Sequence, residues 1–157
     1  MAFAIRASTS KDVDEIIELW KEFMNDPLSI DLPIPTTGEN VKRQREFITK
    51  LVGEDARQVH VAVVEGRLVG YVVCQKVAKG FLEVPYKWGF ITDLFVKRNY
   101  RHEGIGRKLM ETCLEYLKST GNDYVRLTVW SQNEGAAKLY RELGFKDHLD
   151  LLQLSFR

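Results

Sequence analysis

At 157 residues with 45% hydrophobic content, the chain has the length of one ordinary domain and enough apolar side chains for a sizeable core. Its 23 Lys and Arg against 22 Asp and Glu leave a formal charge of +1, which excludes the strongly basic footprint of a duplex nucleic-acid or anionic-membrane binder. The opening MAFAIRASTSKDVDE reaches charged residues too soon for a secretory segment, and no apolar run has the length of a membrane span, so a cytoplasmic protein is expected, without nucleic-acid or membrane partners. Cys74 and Cys113 lie far apart in apolar patterns and His60, His102 and His148 are scattered, so no metal site is expected.

Phe3 to Arg6 reads as a short strand, and Thr9-Ser10-Lys11-Asp12 as a capping box that opens a helix. Val13, Ile16, Ile17, Trp20, Phe23 and Met24 then recur at the spacing of one helix face, which makes them core. The Pro- and Asp-containing stretch from Asn25 to Asn40 predicts a loop of functional length, followed by a weaker helix from about Val41 to Leu51. Gln58 to Glu65 and Arg67 to Ala78 are β-branched runs joined at Glu65-Gly66-Arg67, an antiparallel hairpin signal. After a loop, Trp88 to Val96 and Tyr124 to Trp130 read as strands, each followed by a helix. The first of these helices carries Ile105, Leu109, Met110, Cys113, Leu114 and Leu117 on one face, the second Ala136, Leu139, Tyr140 and Leu143. The tail from Phe145 to Phe156 offers one or two closing strands. Mixed α/β is the class that fits this order, in one domain over residues 1–157, and a right-handed crossover makes the strands from Trp88 and Tyr124 parallel neighbours.

The chemistry concentrates after Val96, where Lys97-Arg98-Asn99-Tyr100-Arg101-His102-Glu103-Gly104-Ile105-Gly106-Arg107-Lys108 ends a strand in a glycine-containing turn that opens a helix. Unpaired backbone N–H groups and the positive helix end there converge on one spot, glycines let a phosphate approach, and Arg101, Arg107 and Lys108 add charge. A diphosphate ligand is expected. Neither the Walker pattern nor a dinucleotide fingerprint is present; the pattern is R-x-x-G-x-G.

In that setting ITDLFVKRNYRHEGIGRKLM resembles the acetyl-CoA motif of the GCN5-related N-acetyltransferases (GNAT), and VWSQNEGAAKLYRELGFK resembles their following motif. The resemblance implies a mixed, mostly antiparallel central sheet of six to seven strands with four helices, splayed between the fourth and fifth strands. It implies acetyl-CoA as cosubstrate, with its pyrophosphate on the backbone amides of His102, Glu103, Gly104, Ile105 and Gly106, Arg101 at the motif's first position and Arg107 among the cofactor-binding residues. The pantetheine arm pairs with Leu94 and Val96, and the amide of Leu94 or Phe95 polarises the thioester carbonyl. Asn133 matches a position that contacts the arm, though an N-cap explains it equally. Tyr140 matches the tyrosine that protonates the departing thiolate, with membership of the apolar stripe as its other reading. Asp93, the only acid between Trp88 and Val96, is the candidate base; polyamine acetyltransferases that look similar carry an acid where this chain has Thr92, and strand alternation puts Thr92 and Asp93 on opposite faces. Glu83 and Tyr86 are lesser candidates.

The expected reaction is direct attack of a primary amine, on a small molecule or polyamine, in a ternary complex without an acyl-enzyme. Asp26, Asp31 and Asp93 would suit a cationic acceptor. The alternatives are a peptide or protein N-acetyltransferase and a non-catalytic acyl-CoA-binding regulator. A homodimer is expected by resemblance.

Overall fold

The computed structural model describes residues 1–27, 34–76 and 86–156. In chain order the elements are β1 (Ala4–Ala7), α1 (Val13–Met24), α2 (Gly38–Asp55), β2 (Val59–Val64), β3 (Arg67–Lys76), β4 (Trp88–Val96), α3 (Ile105–Ser119), β5 (Tyr124–Leu127) and α4 (Glu134–Glu142). One five-stranded sheet runs in sequence order, antiparallel from β1 to β4, with β5 parallel to β4. The parallel step is the one that a helical crossover requires, and α3 supplies it.

Each face of the sheet has its own apolar layer. Ile16, Ile17 and Trp20 of α1 and Ile48 and Leu51 of α2 pack on Val59, Val61, Tyr71, Val73 and Phe95. Leu109, Met110, Cys113 and Leu117 of α3 cover Ala62, Val72, Cys74 and Ile91 on the other face. The capping box forms as expected, with the Thr9 amide and hydroxyl both donating to Asp12 Oδ2 (2.6 and 2.8 Å). Two glycines in the sheet are dictated by close approach. A Cβ on Gly70 would lie 2.7 Å from the Phe95 carbonyl oxygen, and one on Gly89 would lie 2.7 Å from Leu117 Cδ2. Gly70 thus lets β3 hold the far end of β4, and Gly89 lets α3 settle on its near end.

Among the described residues the sheet has five strands rather than the six to seven expected. β5 stops at Leu127, and residues 145–156 form no strand although Leu149, Leu151, Leu152, Leu154 and Phe156 are strand formers in sequence. Strand propensity needs a ladder partner to act on. Among the described residues the tail pairs with no strand, and Leu152 and Phe156 are 90% and 93% exposed. α2 also begins earlier and ends later than its apolar spacing predicts.

Candidate active site

The site begins with a miscount between β3 and β4. Val73 pairs with Asp93 and Cys74 with Ile91, so Thr92 is an extra residue without a partner on β3. A bulge of this kind bends its strand and strengthens its twist. The parallel pairing of β4 with β5 ends at Ile91 and Leu127, so from Thr92 to Val96 β4 runs on without β5, held by β3 alone.

The polar backbone of that free stretch has a defined direction. The Lys97 amide donates to the Val69 carbonyl (2.8 Å), which makes Gly70 and Val96 a non-hydrogen-bonded pair. Alternation then turns Phe95 and Asp93 toward β3 and points the N–H and C=O of Leu94 and the N–H of Val96 into the gap beside β5. The Val96 carbonyl instead accepts from Arg101 Nε (2.8 Å). Of the two amides considered from sequence, that of Leu94 faces the gap. Phe95 is corrected: its amide faces β3, and its 4% exposed ring packs against Phe23 (5.7 Å between centroids) and Tyr71 (6.5 Å).

The gap opens into a cavity of about 200 Å³ lined from one face of the sheet by Phe23, Met24 and Asp93 and from the other by Ala136 and Tyr140, with Leu94, Trp130 and Asn133 between them. Thr92 and Asp93 both line it, against the expectation from strict alternation, because the bulge shifts the alternation by one residue. Asp93 Oδ2 accepts from Tyr71 Oη (3.2 Å) and Gln44 Nε2 (3.4 Å). Burial raises the Asp93 carboxyl to about 6, and these two hydrogen bonds hold it from going higher. Burial also pushes the Tyr140 phenol up to about 12, so it keeps its proton at neutral pH. Asn133 caps α4, its Oδ1 accepting from the Ala136 amide (3.1 Å), and still borders the cavity. Gln44 was missed from sequence; it lies 49 residues from Asp93, and no local pattern joins them. Tyr86 packs edge-on against Tyr124 (5.4 Å), off the cavity lining. Asp31, Glu83 and much of the loop predicted from Asn25 lie outside the described residues.

Beyond Val96, a single 3-10 turn (Arg98–Tyr100) leads into the bend that starts α3. His102 and Gly104 both have positive φ, 66° and 81°, which turns successive amides toward a common side. Among the described residues, no backbone acceptor lies within hydrogen-bond range of the amides from His102 to Arg107. Gly106 is not required by packing, since an added Cβ would meet Leu139 and Val96 side chains only at 3.8 Å. It keeps open the space where α3, α4 and the end of β4 meet. The side chains contribute less charge than the sequence suggests. Arg101 is turned inward, donating to Asp26 and lying 5.6 Å from the Phe95 ring centroid, and Arg107 donates to Glu142 on α4. What remains to face an anion is the set of main-chain donors at a helix start, and that donor set fits the diphosphate of coenzyme A.

The acetyltransferase (GNAT) family pattern matches residues 14–145. The chain belongs to this family. It is an acyl-CoA N-acetyltransferase with acetyl-CoA as cosubstrate. An N-alpha-acetyltransferase of Sulfurisphaera tokodaii is 30% identical over 151 residues, covering 92% of this chain and 81% of that protein. An uncharacterized N-acetyltransferase of Methanocaldococcus jannaschii is 29% identical over 145 residues; the match spans 92% of this chain and 61% of that protein, less than two thirds of its length. The crystal structure of PH1933 from Pyrococcus horikoshii superposes with a TM-score of 0.72 at 27% identity, covering 96% of this chain and 92% of that one. No helix among the described residues is long and apolar enough to cross a membrane.

The raised Asp93 carboxyl links the site to stability. Its contribution is fully present below pH 3.8, where the carboxyl is protonated in folded and unfolded chains alike, and is lost as pH rises through about 6. Asp93→Asn removes this loss, so at pH 8 the variant should be more stable than the native acetyltransferase by up to about 3 kcal/mol, with the difference vanishing near pH 4. Urea unfolding at the two pH values checks it.

Proposed function

We propose that this acetyltransferase acetylates a weakly basic primary amine by direct attack with both substrates bound, Asp93 serving as base and Tyr140 as acid. The observation that carries the reading is the pair of desolvated groups facing one cavity from opposite sides of the sheet. Acetyl-CoA, when bound, supplies the acetyl thioester and departs as the free thiol. Asp93 takes a proton from the acceptor ammonium, leaving a neutral amine with its lone pair available. The Leu94 N–H donates to the carbonyl oxygen as negative charge gathers on it. The Tyr140 hydroxyl gives its proton to the sulfur as the carbon–sulfur bond breaks, and the proton that the attacking nitrogen sheds on becoming the amide nitrogen restores the phenol. The backbone from Arg101 to Arg107 holds the pyrophosphate, and the Leu94 and Val96 edge holds the extended arm. Among the described residues the cavity lining contains no Cys or Ser, and both cysteines are buried in the core under α3, which supports transfer without an acyl-enzyme.

The basicity of the site narrows the acceptor. A base at about 6 is about 2 pK units below an α-amino group, at about 8, but more than 4 below an alkyl ammonium, at about 10.4. An α-amine on a small molecule or at a peptide N-terminus therefore suits the site better than a polyamine. The Sulfurisphaera tokodaii relative, an N-alpha-acetyltransferase, supports the peptide form. A homodimer and a cytoplasmic location belong to the same reading.

A panel of peptide N-termini, small amino compounds and polyamines, followed by thiol release and mass spectrometry at pH 7.5, should give kcat/KM at least about tenfold higher for α-amines than for polyamines. A polyamine as the best substrate would refute the assignment, and no release with any amine would favour the regulator. Tyr140→Phe should lower kcat by about 100-fold while the acetyl-CoA dissociation constant changes little. An undiminished kcat would return Tyr140 to a packing role.

A further inference from the structure

The two oxygens of Asp93 are not equivalent. Oδ2 receives both hydrogen bonds, from Tyr71 Oη on β3 and from Gln44 Nε2 on α2. No described residue donates to Oδ1. Among the described residues, the fully enclosed side-chain polar atoms without a partner are Ser8 Oγ and His60 Nδ1, so Oδ1 is open to the cavity that Asp93 lines.

We propose that Gln44 and Tyr71 are positioning residues for the proton transfer: they hold Oδ2 so that Oδ1 alone meets the acceptor ammonium, and they set the pH at which Oδ1 becomes basic. The inference rests on the reading of Asp93 as base and adds how that base is aimed and tuned. Hydrogen bonds from neutral donors favour the carboxylate over the carboxylic acid, and here they oppose burial. Tyr71 is fully buried, and its phenol is raised well above its ordinary range by burial first and then by Asp93, so it stays protonated and remains a donor. Gln44 carries no charge to titrate.

Several ionisable groups on the surrounding elements have other partners. On α1, Glu22 pairs with Lys97 (3.2 Å), and just after it Asp26 accepts from Arg101. On α2, Arg43 pairs with Glu39 (3.1 Å), and Arg45 pairs with Asp14. On β3, Lys76 lies over the Tyr116 ring (5.7 Å), and on β5, Arg126 lies over the Trp88 ring (4.6 Å). Tyr140, across the cavity, stays neutral. Among the described residues Asp93 forms no ion pair that competes with the two donors. Because they come from different elements, the setting also depends on how α2 lies against β3.

The test is a carbon-13 NMR titration of the aspartate carboxyls, with Asp93 assigned through Asp93→Asn, in the native protein and in Gln44→Leu and Tyr71→Phe. It needs no acceptor, and a thermal melt establishes that each variant is folded. The Asp93 midpoint should rise by about half a unit in Gln44→Leu and by about one unit in Tyr71→Phe, in keeping with the longer Gln44 bond. The acidic limb of kcat/KM should move by the same amount, and Gln44→Glu, which adds a second carboxylate, should move it further. Should Tyr71→Phe fail to fold, Gln44→Leu decides alone. A midpoint that stays in place in the folded variants overturns the proposal. If the limb disappears in Asp93→Asn but moves in neither variant, this inference fails while the base survives. If the limb persists in Asp93→Asn, the base reading fails.

Discussion

One unmatched residue organises the site. Because Thr92 has no partner on β3, β4 changes direction after Ile91 and leaves β5. Paired along its whole length, β4 would spend the amides of Leu94 and Val96 on sheet hydrogen bonds. Parted from β5, it presents them to the gap, where an extended ligand can take the place of a strand. The same bulge brings Asp93 onto the wall of the cavity, while Gly70 keeps the end of β4 tied to β3 at a distance no side chain would allow.

Desolvation gives the two titratable groups of the cavity different capacities from one cause. It raises the Asp93 carboxyl to about 6, where a carboxylate is a useful base near neutral pH, and raises the Tyr140 phenol to about 12, where it keeps the proton that a leaving sulfur needs. The phosphate-facing bend relies on the backbone instead. With Arg101 committed to Asp26 and the Val96 carbonyl, and Arg107 to Glu142, the proposed anion binding falls to the amides at the start of α3. That division accords with a chain whose charges nearly balance.

Much of this was legible in the sequence because it rests on local rules. The helix stripes, the hairpin at Gly66, the parallel crossover and the Gly104–Gly106 bend each follow from spacing or from glycine's freedom at positive φ, seen at Gly66 and Gly104. What could not be read depends on pairing across the chain. Alternation separated Thr92 from Asp93 because nothing in WGFITDLFV marks the extra residue, and the same register decides that Phe95 faces β3 while Leu94 faces the gap. Arg101 looked like a phosphate ligand because its partner Asp26 lies 75 residues away. The tail has strand formers but, among the described residues, no partner strand, so it adds nothing to the described sheet.

The central claim is that main-chain donors on the free stretch of β4 and in the bend before α3 grip acetyl-CoA. Amide hydrogen exchange with and without saturating acetyl-CoA measures this residue by residue. The account predicts slowed exchange at Leu94, Val96 and His102 to Arg107, and little change at the Phe95 amide, which already faces β3. Exchange unaltered at those positions while the ligand is bound, or protection confined to another part of the chain, would contradict it.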